Sequence, residues 1–321
     1  LDSHHRFSQG WDTVSKSKLA TLKEAGFRKP LLSSYLPAYD PHNDPAGRHN
    51  KPWRLLLDRF MPEGPLFLKP HVIRENKGLE RARFLGGHFI FTAGKFCTEV
   101  PYDPFLYFHG EETSLSVRAF THGYDIFHLD EPLVWHYYER SGSKRHWDDS
   151  KTWRDLNSWS FSRYKSLLGV DDTSSLDFGP YGLGNKRSLE EYEKFAGINF
   201  KNRSVHIDAQ EGIPPPVSPD GYEEKFINSF KYCIDIPKAQ LPEKDYDFFA
   251  VAFKNSSGQE ICRVDLSQPE IDNALNSNPS DEFVRLWREF SCSIVPSSWV
   301  VWPRSISKGY LARIEGDIPH S

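Results

Sequence analysis

Apolar residues in the first two hundred positions come in short blocks between polar turns, and the spacing inside each block predicts its element. Leu1 to Arg6 reads as the end of a strand running into a loop. From Trp11 to Ala25 the positions Val14, Lys18 and Leu22 fall along one face of a helix, with Gly26 as its stop. Lys29 to Tyr35 is a compact apolar run after a proline, which predicts a buried strand. Residues 36–53 are rich in Pro, Asn, Asp and His and read as a long surface loop. Strands are expected at Leu66–Arg74 and at Gly86–Thr92, the latter opened by a glycine pair. Glu111 to Thr121 predicts a helix closed by Gly123. Asp125–Leu129 and Leu133–Tyr137 predict strands separated by an Asp-Glu-Pro turn, and Trp147–Leu168 and Ser188–Ala196 predict helices.

The pattern changes near residue 205. Ile213 to Pro219 contains four prolines and reads as a stiff linker. Beyond it short strands are expected at 226–236, 245–254, 259–266, 290–302 and 308–314, the second and third joined by the hairpin loop Asn255-Ser256-Ser257-Gly258. The expected fold class is therefore α/β: a mixed sheet with flanking helices over residues 1–204, a linker over 205–219, and a small β-rich, sandwich-like domain over 220–321.

Composition narrows the function classes. A chain of 321 residues suits about two domains. Its formal net charge of −4 comes from interspersed charges with no basic block, so a nucleic-acid partner is not expected. No run of 18 apolar residues is present, so no membrane span is expected, and no secretory leader is visible. The four cysteines lie far apart without a C-x-x-C pair and read as free thiols of a reducing, cytoplasmic setting. Nine Trp, 14 Tyr and 23 Phe are enough to supply sugar-facing platforms as well as a core.

Candidate chemistry sits in a few places. In an extended chain residues i and i+2 point the same way, so Asp2 and His4 can reach one ion. A carboxylate with an imidazole suits a manganese-like divalent cation. His136, in an apolar strand, would complete a three-ligand face; the plain alternative is a core histidine held by a hydrogen bond. Glu111 and Glu112 open a helix whose positive end favours carboxylates, which alone accounts for one of them. The run Phe105 to Gly110 before them forms an aromatic wall, where His109 and Gly110 could line a bulky ligand. Gly86 and Gly87 could let backbone approach a sugar ring, or could simply form a turn. No phosphate loop, nucleophile elbow or H-E-x-x-H motif is present.

The blocks Asp2-Ser3-His4-His5-Arg6-Phe7, Gly10-Trp11-Asp12, Lys29 to Tyr35, Glu99 to Pro104, His109 to Arg118, Thr121 to Asp125, Val134-Trp135-His136 and Tyr181 to Arg187 together resemble the GlcNAc-type glycosyltransferases, typified by cytoplasmic enzymes that add N-acetylglucosamine to hydroxyproline. The resemblance spans roughly residues 1–200. It implies a GT-A fold, a UDP-sugar donor, a divalent cation (usually manganese) and a protein or glycan acceptor. It matches Asp2, His4 and His136 to the metal site, Gly86 and Gly87 to the donor-sugar segment, and Glu111 or Glu112 to the reacting centre. Members carry a nucleotide-binding half before the D-x-H element, so the chain is expected to be an N-terminally truncated form, nearly inert alone. Two rivals stand beside a transferase: a non-catalytic carbohydrate-binding or scaffolding relative, and a metal-dependent hydrolase, whose extra His and carboxylate cluster is missing.

Overall fold

The computed structural model describes residues 4–60, 65–75, 77–139, 152–170, 176–277, 280–292 and 295–318. The chain divides into two compact units, Leu1–Glu224 and Lys225–Ser321. It is mixed α/β, with several separate sheets.

In the first unit, β1 (His5–Phe7) leads into α1 (Trp11–Glu24), and β2 follows at Pro30–Ser33. Every residue of β2 is buried, as expected of a strand covered on both faces. β3 (Trp53–Phe60) and β4 (Leu66–Val72) form an antiparallel pair, followed by β5 (Ile90–Phe91) and α2 (Phe96–Glu99). Next come α3 (Glu111–Thr121), β6 (Asp125–His128), β7 (Val134–His136), α4 (Trp153–Leu167), α5 (Leu189–Ala196), β8 (Ile198–Asn199), β9 (Ser204–His206) and α6 (Ile207–Gln210). β2 lies between β5, antiparallel to it, and β6, parallel to it with Leu31 opposite Ile126. β1 pairs antiparallel with β7 and sets His5 opposite His136.

α3 is packed on almost every side: Thr113 to Thr121 are all buried. Leu115 and Ala119 pack with Leu31 and Ile126 of the sheet, while Val117 and Phe120 join a second cluster with Tyr164, Leu167 and Tyr192. A buried leucine contributes about 2 kcal/mol by leaving water, so this helix is fixed by tertiary packing more than by its own propensity. Arg118, 1% exposed, extends from it and donates to the carbonyls of Pro101, Pro180 and Gly182. Those bonds strap two loops to the helix, and burial pulls the guanidinium down to about 10.

In the second unit the strands are β10 (Phe226–Pro237), β11 (Tyr246–Lys254), β12 (Glu260–Arg263), β13 (Leu266–Ser267), β14 (Phe283–Cys292), β15 (Ser298–Ser305), β16 (Gly309–Tyr310) and β17 (Ile314–Asp317). β11 pairs with β12, β13 and β15, and β15 with β16 and β17; β10 pairs with β14. α7 (Gln268–Asn276) starts at a capping box between Ser267 and Glu270 and buries Ile271 against this core.

Several element expectations are corrected. The strand expected over 290–302 is two strands, β14 and β15, and the one over 259–266 is split into β12 and β13. The run Gly86–Thr92 is mostly a turn, with only Ile90–Phe91 extended, because Phe89 N–H closes back on the Gly86 carbonyl. β3 falls where a loop was expected to end, and α7 was not anticipated. The start of the helix expected at Trp147 lies outside the described residues, as do Leu1 to Ser3. Among the described residues no helix is long and apolar enough to cross a membrane.

Candidate functional site

The site begins at Gly110. Its φ of +91° opens the first turn of α3, and a Cβ here would stand 2.7 Å from the Tyr164 ring. Glycine is therefore required both by the left-handed backbone and by the aromatic packed against it. The turn it makes projects Glu111 and Glu112 from the buried helix into a cavity of about 370 Å³. Tyr35, Phe67, His88, Phe108 and His109 also line it.

Both carboxylates are held. Glu112 Oε1 accepts from the Gly87 N–H at 2.8 Å, and Glu111 Oε2 accepts from the Tyr102 hydroxyl at 2.5 Å. Gly87 admits this arrangement because a side chain there would meet Glu111 Oε1 at 2.8 Å. Its neighbour Gly86 faces away: it packs on the Ser34 carbonyl and donates its N–H to Ser33 Oγ, anchoring the turn to β2.

Burial dominates the electrostatics. It pushes Glu112 up to about 7, with the charge of Glu111 adding to it and the Gly87 N–H opposing it. Glu111 is raised as well, again by burial, with Tyr102 working against the rise. The helix N-terminus favours the ionised form by about 0.3–1 kcal/mol, and desolvation outweighs it. Near neutral pH Glu112 is thus poised to hold or release a proton, while its neighbour is fixed by a phenol.

This has a consequence for stability. Glu112 is neutral in both folded and unfolded chains below about pH 4.5, so it costs nothing there; as pH rises toward about 7 the unfolded chain ionises first and folding stability is lost. Glu112→Gln removes that cost. The variant is expected to be more stable than wild type at pH 8 by about 2 kcal/mol, discounted for its half-buried position, and to show no advantage at pH 4.5. Urea denaturation at the two pH values measures both.

A row of rings runs from the cavity to the histidines of β1 and β7. His88 stacks on His136 with centroids 4.9 Å apart; Tyr138 meets His136 at 4.4 Å; and Tyr35 lies face to face with Tyr138 at 5.5 Å. His4 approaches His136 at 6.0 Å. Strand pairing explains the convergence: β1 is laid antiparallel on β7, and the His4 carbonyl accepts the Tyr137 N–H. Two of the three expected metal ligands are thus adjacent, and His88 links them to the carboxylate cavity. Two neighbouring imidazoles suit a borderline divalent cation. The third, Asp2, lies outside the described residues; among the described residues no three His, Cys, Asp or Glu side chains converge on one point.

His109 and Gly110 line the cavity beside the glutamates. Tyr35, His88, Tyr102 and Tyr138 were not singled out from the sequence. His88 follows the glycine pair directly, and Tyr102 sits nine residues before Glu111, but neither spacing carries a contact until the chain folds. Asp103 and Arg163 form a buried ion pair at 2.8 Å that ties the aromatic loop to α4.

Comparison with curated proteins and with solved structures found no match. A comparison with protein families matched residues 1–202 to the model described as Glycosyltransferase (GlcNAc). That stretch holds the carboxylate cavity, the ring row and the histidines of β1 and β7, and it is more than half of the sequence: the chain belongs to the GlcNAc glycosyltransferase family.

Proposed function

We propose that the protein moves N-acetylglucosamine from a UDP-sugar to a hydroxyl of a protein or glycan acceptor, with a divalent cation held by Asp2, His4 and His136. The observation that carries this reading is the half-buried carboxylate pair at the start of α3, with Glu112 held by the Gly87 N–H and one ring away from the histidines of β1 and β7. Asp2, His4 and His136 would hold the divalent cation, manganese by the donor set, and the chemistry it would supply is to offset charge on the departing diphosphate. Glu112, poised near neutral pH, orients the acceptor hydroxyl or stabilises positive charge growing on the sugar. Tyr102 fixes Glu111 so that the second carboxylate does not need to reorganise. His109, Gly110 and Gly87 form the wall for the donor sugar, with Gly86 anchoring the turn behind it. The first unit then acts as a GT-A-like catalytic domain, with the β-rich unit as an accessory.

The test is donor choice. The full-length protein is incubated with manganese and UDP-N-acetylglucosamine, UDP-glucose or UDP-galactose, and release of UDP is followed. Turnover with UDP-N-acetylglucosamine well above the other two supports the reading. Equal or absent release from all three donors refutes it.

A further inference from the structure

Strand β14 is the end strand of its sheet. It pairs with β10 from Phe283 to Cys292 without a register shift, and among the described residues no strand pairs with its other side. Such an edge is a template for another strand, and proteins often blunt it with a proline, a bulge or charged side chains. β14 has no proline and no bulge, and the charges it carries are Arg285, Arg288 and Glu289. Its exposure alternates: Val284 and Leu286 are buried, while Phe283 and Trp287 are 39% and 55% exposed. Beside the edge runs a cleft of about 410 Å³, walled by Glu270, Asn273 and Ala274 of α7 and by Arg285, Leu286 and Trp287 of the strand.

We propose that β14 is a self-association edge, to which a second copy of this chain adds its own β14, antiparallel, about a two-fold axis at Trp287. The charges select that register. Inside one chain Lys231 of β10 lies opposite Glu289, and Asp235 lies opposite Arg285. With the axis at Trp287, Glu289 faces Arg285 of the second copy. Four strands then carry Lys231, Glu289, and the second copy's Arg285 and Asp235 in one row, alternating in sign. The row occurs twice, once on each side of the axis. Between the rows the two Trp287 side chains lie opposite each other, and Val284 faces Phe290 of the second copy on the inner side. Opposite charges placed directly across a ladder are favourable, and like charges are not.

Other registers lose this match. A slip of one residue sets the exposed positions of one strand against the buried positions of the other. Moving the axis to Leu286 sets Arg285 against Trp287, and moving it to Arg288 sets that arginine against itself. The Trp287 register is isologous, so the contact closes as a dimer and does not propagate.

Sedimentation of the full chain over the micromolar range tests this, with Arg285→Glu, Glu289→Arg and the double variant. The wild type is expected to show a monomer–dimer equilibrium. Each single reversal weakens it by about tenfold or more, because every dimer contains the pair twice. The double variant recovers the dimer. That recovery separates the contact between copies from the contacts within each chain, since the double variant still sets like charge against Asp235 and Lys231. Circular dichroism confirms that each variant is folded. A wild-type chain that stays monomeric overturns the proposal and leaves the edge to a different partner. A dimer indifferent to the single reversals, or folded double-variant protein that does not recover, overturns it equally.

Discussion

Glu112→Gln in the full-length protein is expected to lower donor turnover by about 10²–10³-fold. The substitution is nearly isosteric, and its amide oxygen can still accept the Gly87 N–H that Glu112 accepts at 2.8 Å. What it removes is the charge and the titratable proton of a group that burial places near neutral pH. Glu111→Gln keeps a partner for the Tyr102 hydroxyl and removes the neighbouring charge; a smaller loss, about tenfold, is expected. Initial rates of UDP release at saturating donor measure both. Wild-type rates in the two variants would remove this pair from the chemistry. A larger loss in Glu111→Gln would exchange their roles.

Removing divalent cations has the second large expected effect. In excess chelator turnover of the full-length protein should fall to background, and added manganese should restore it. His4→Ala is the informative variant, because His4 is exposed while His136 is 1% exposed and packed among rings. His4→Ala is expected to weaken manganese binding on the order of 100-fold by calorimetry, with unfolding unchanged. Full activity in chelator would rule out the metal-dependent reading. Unaltered binding by His4→Ala would move the site elsewhere.

Much of the first unit was legible because its elements announce themselves locally. Trp11 to Glu24 and Glu111 to Thr121 have helical spacing and glycine boundaries, and both fold as helices within a residue of the expected limits. Asp125–His128 and Val134–His136 carry apolar runs around a proline turn. β3 was hidden because its three consecutive leucines, flanked by Arg54 and by Asp58-Arg59, show no period-two alternation, and α7 because it is only nine residues long and has a proline in its first turn. The candidate site divides the same way. Glu111, Glu112, His109 and Gly110 are contiguous, so their shared cavity follows from one helix start. That His88 stacks on His136, or that Tyr102 reaches Glu111, depends on pairings between distant strands and loops that no local spacing encodes. Gly86 shows the opposite limit: the sequence marks a special glycine but not whether it clears room for a ligand or, as here, for the Ser34 carbonyl.

The parallel pairing of β2 with β6 also sets a timetable. Leu31 meets Ile126 in that ladder, and β3, β4, β5, α2 and α3 all intervene in the chain. Loop-closure entropy must be overcome before such a distant contact returns any energy, so topologies of this kind fold slowly. On the ribosome β2 emerges about 95 residues ahead of its parallel neighbour, at roughly 5–20 residues per second. For several seconds its leucines have no native neighbour on that side, and Tyr164, which closes against Gly110, is later still. Nascent chains halted before α4 should therefore be protease-sensitive throughout this region, and the carboxylate cavity should be among the last features of the first unit to form.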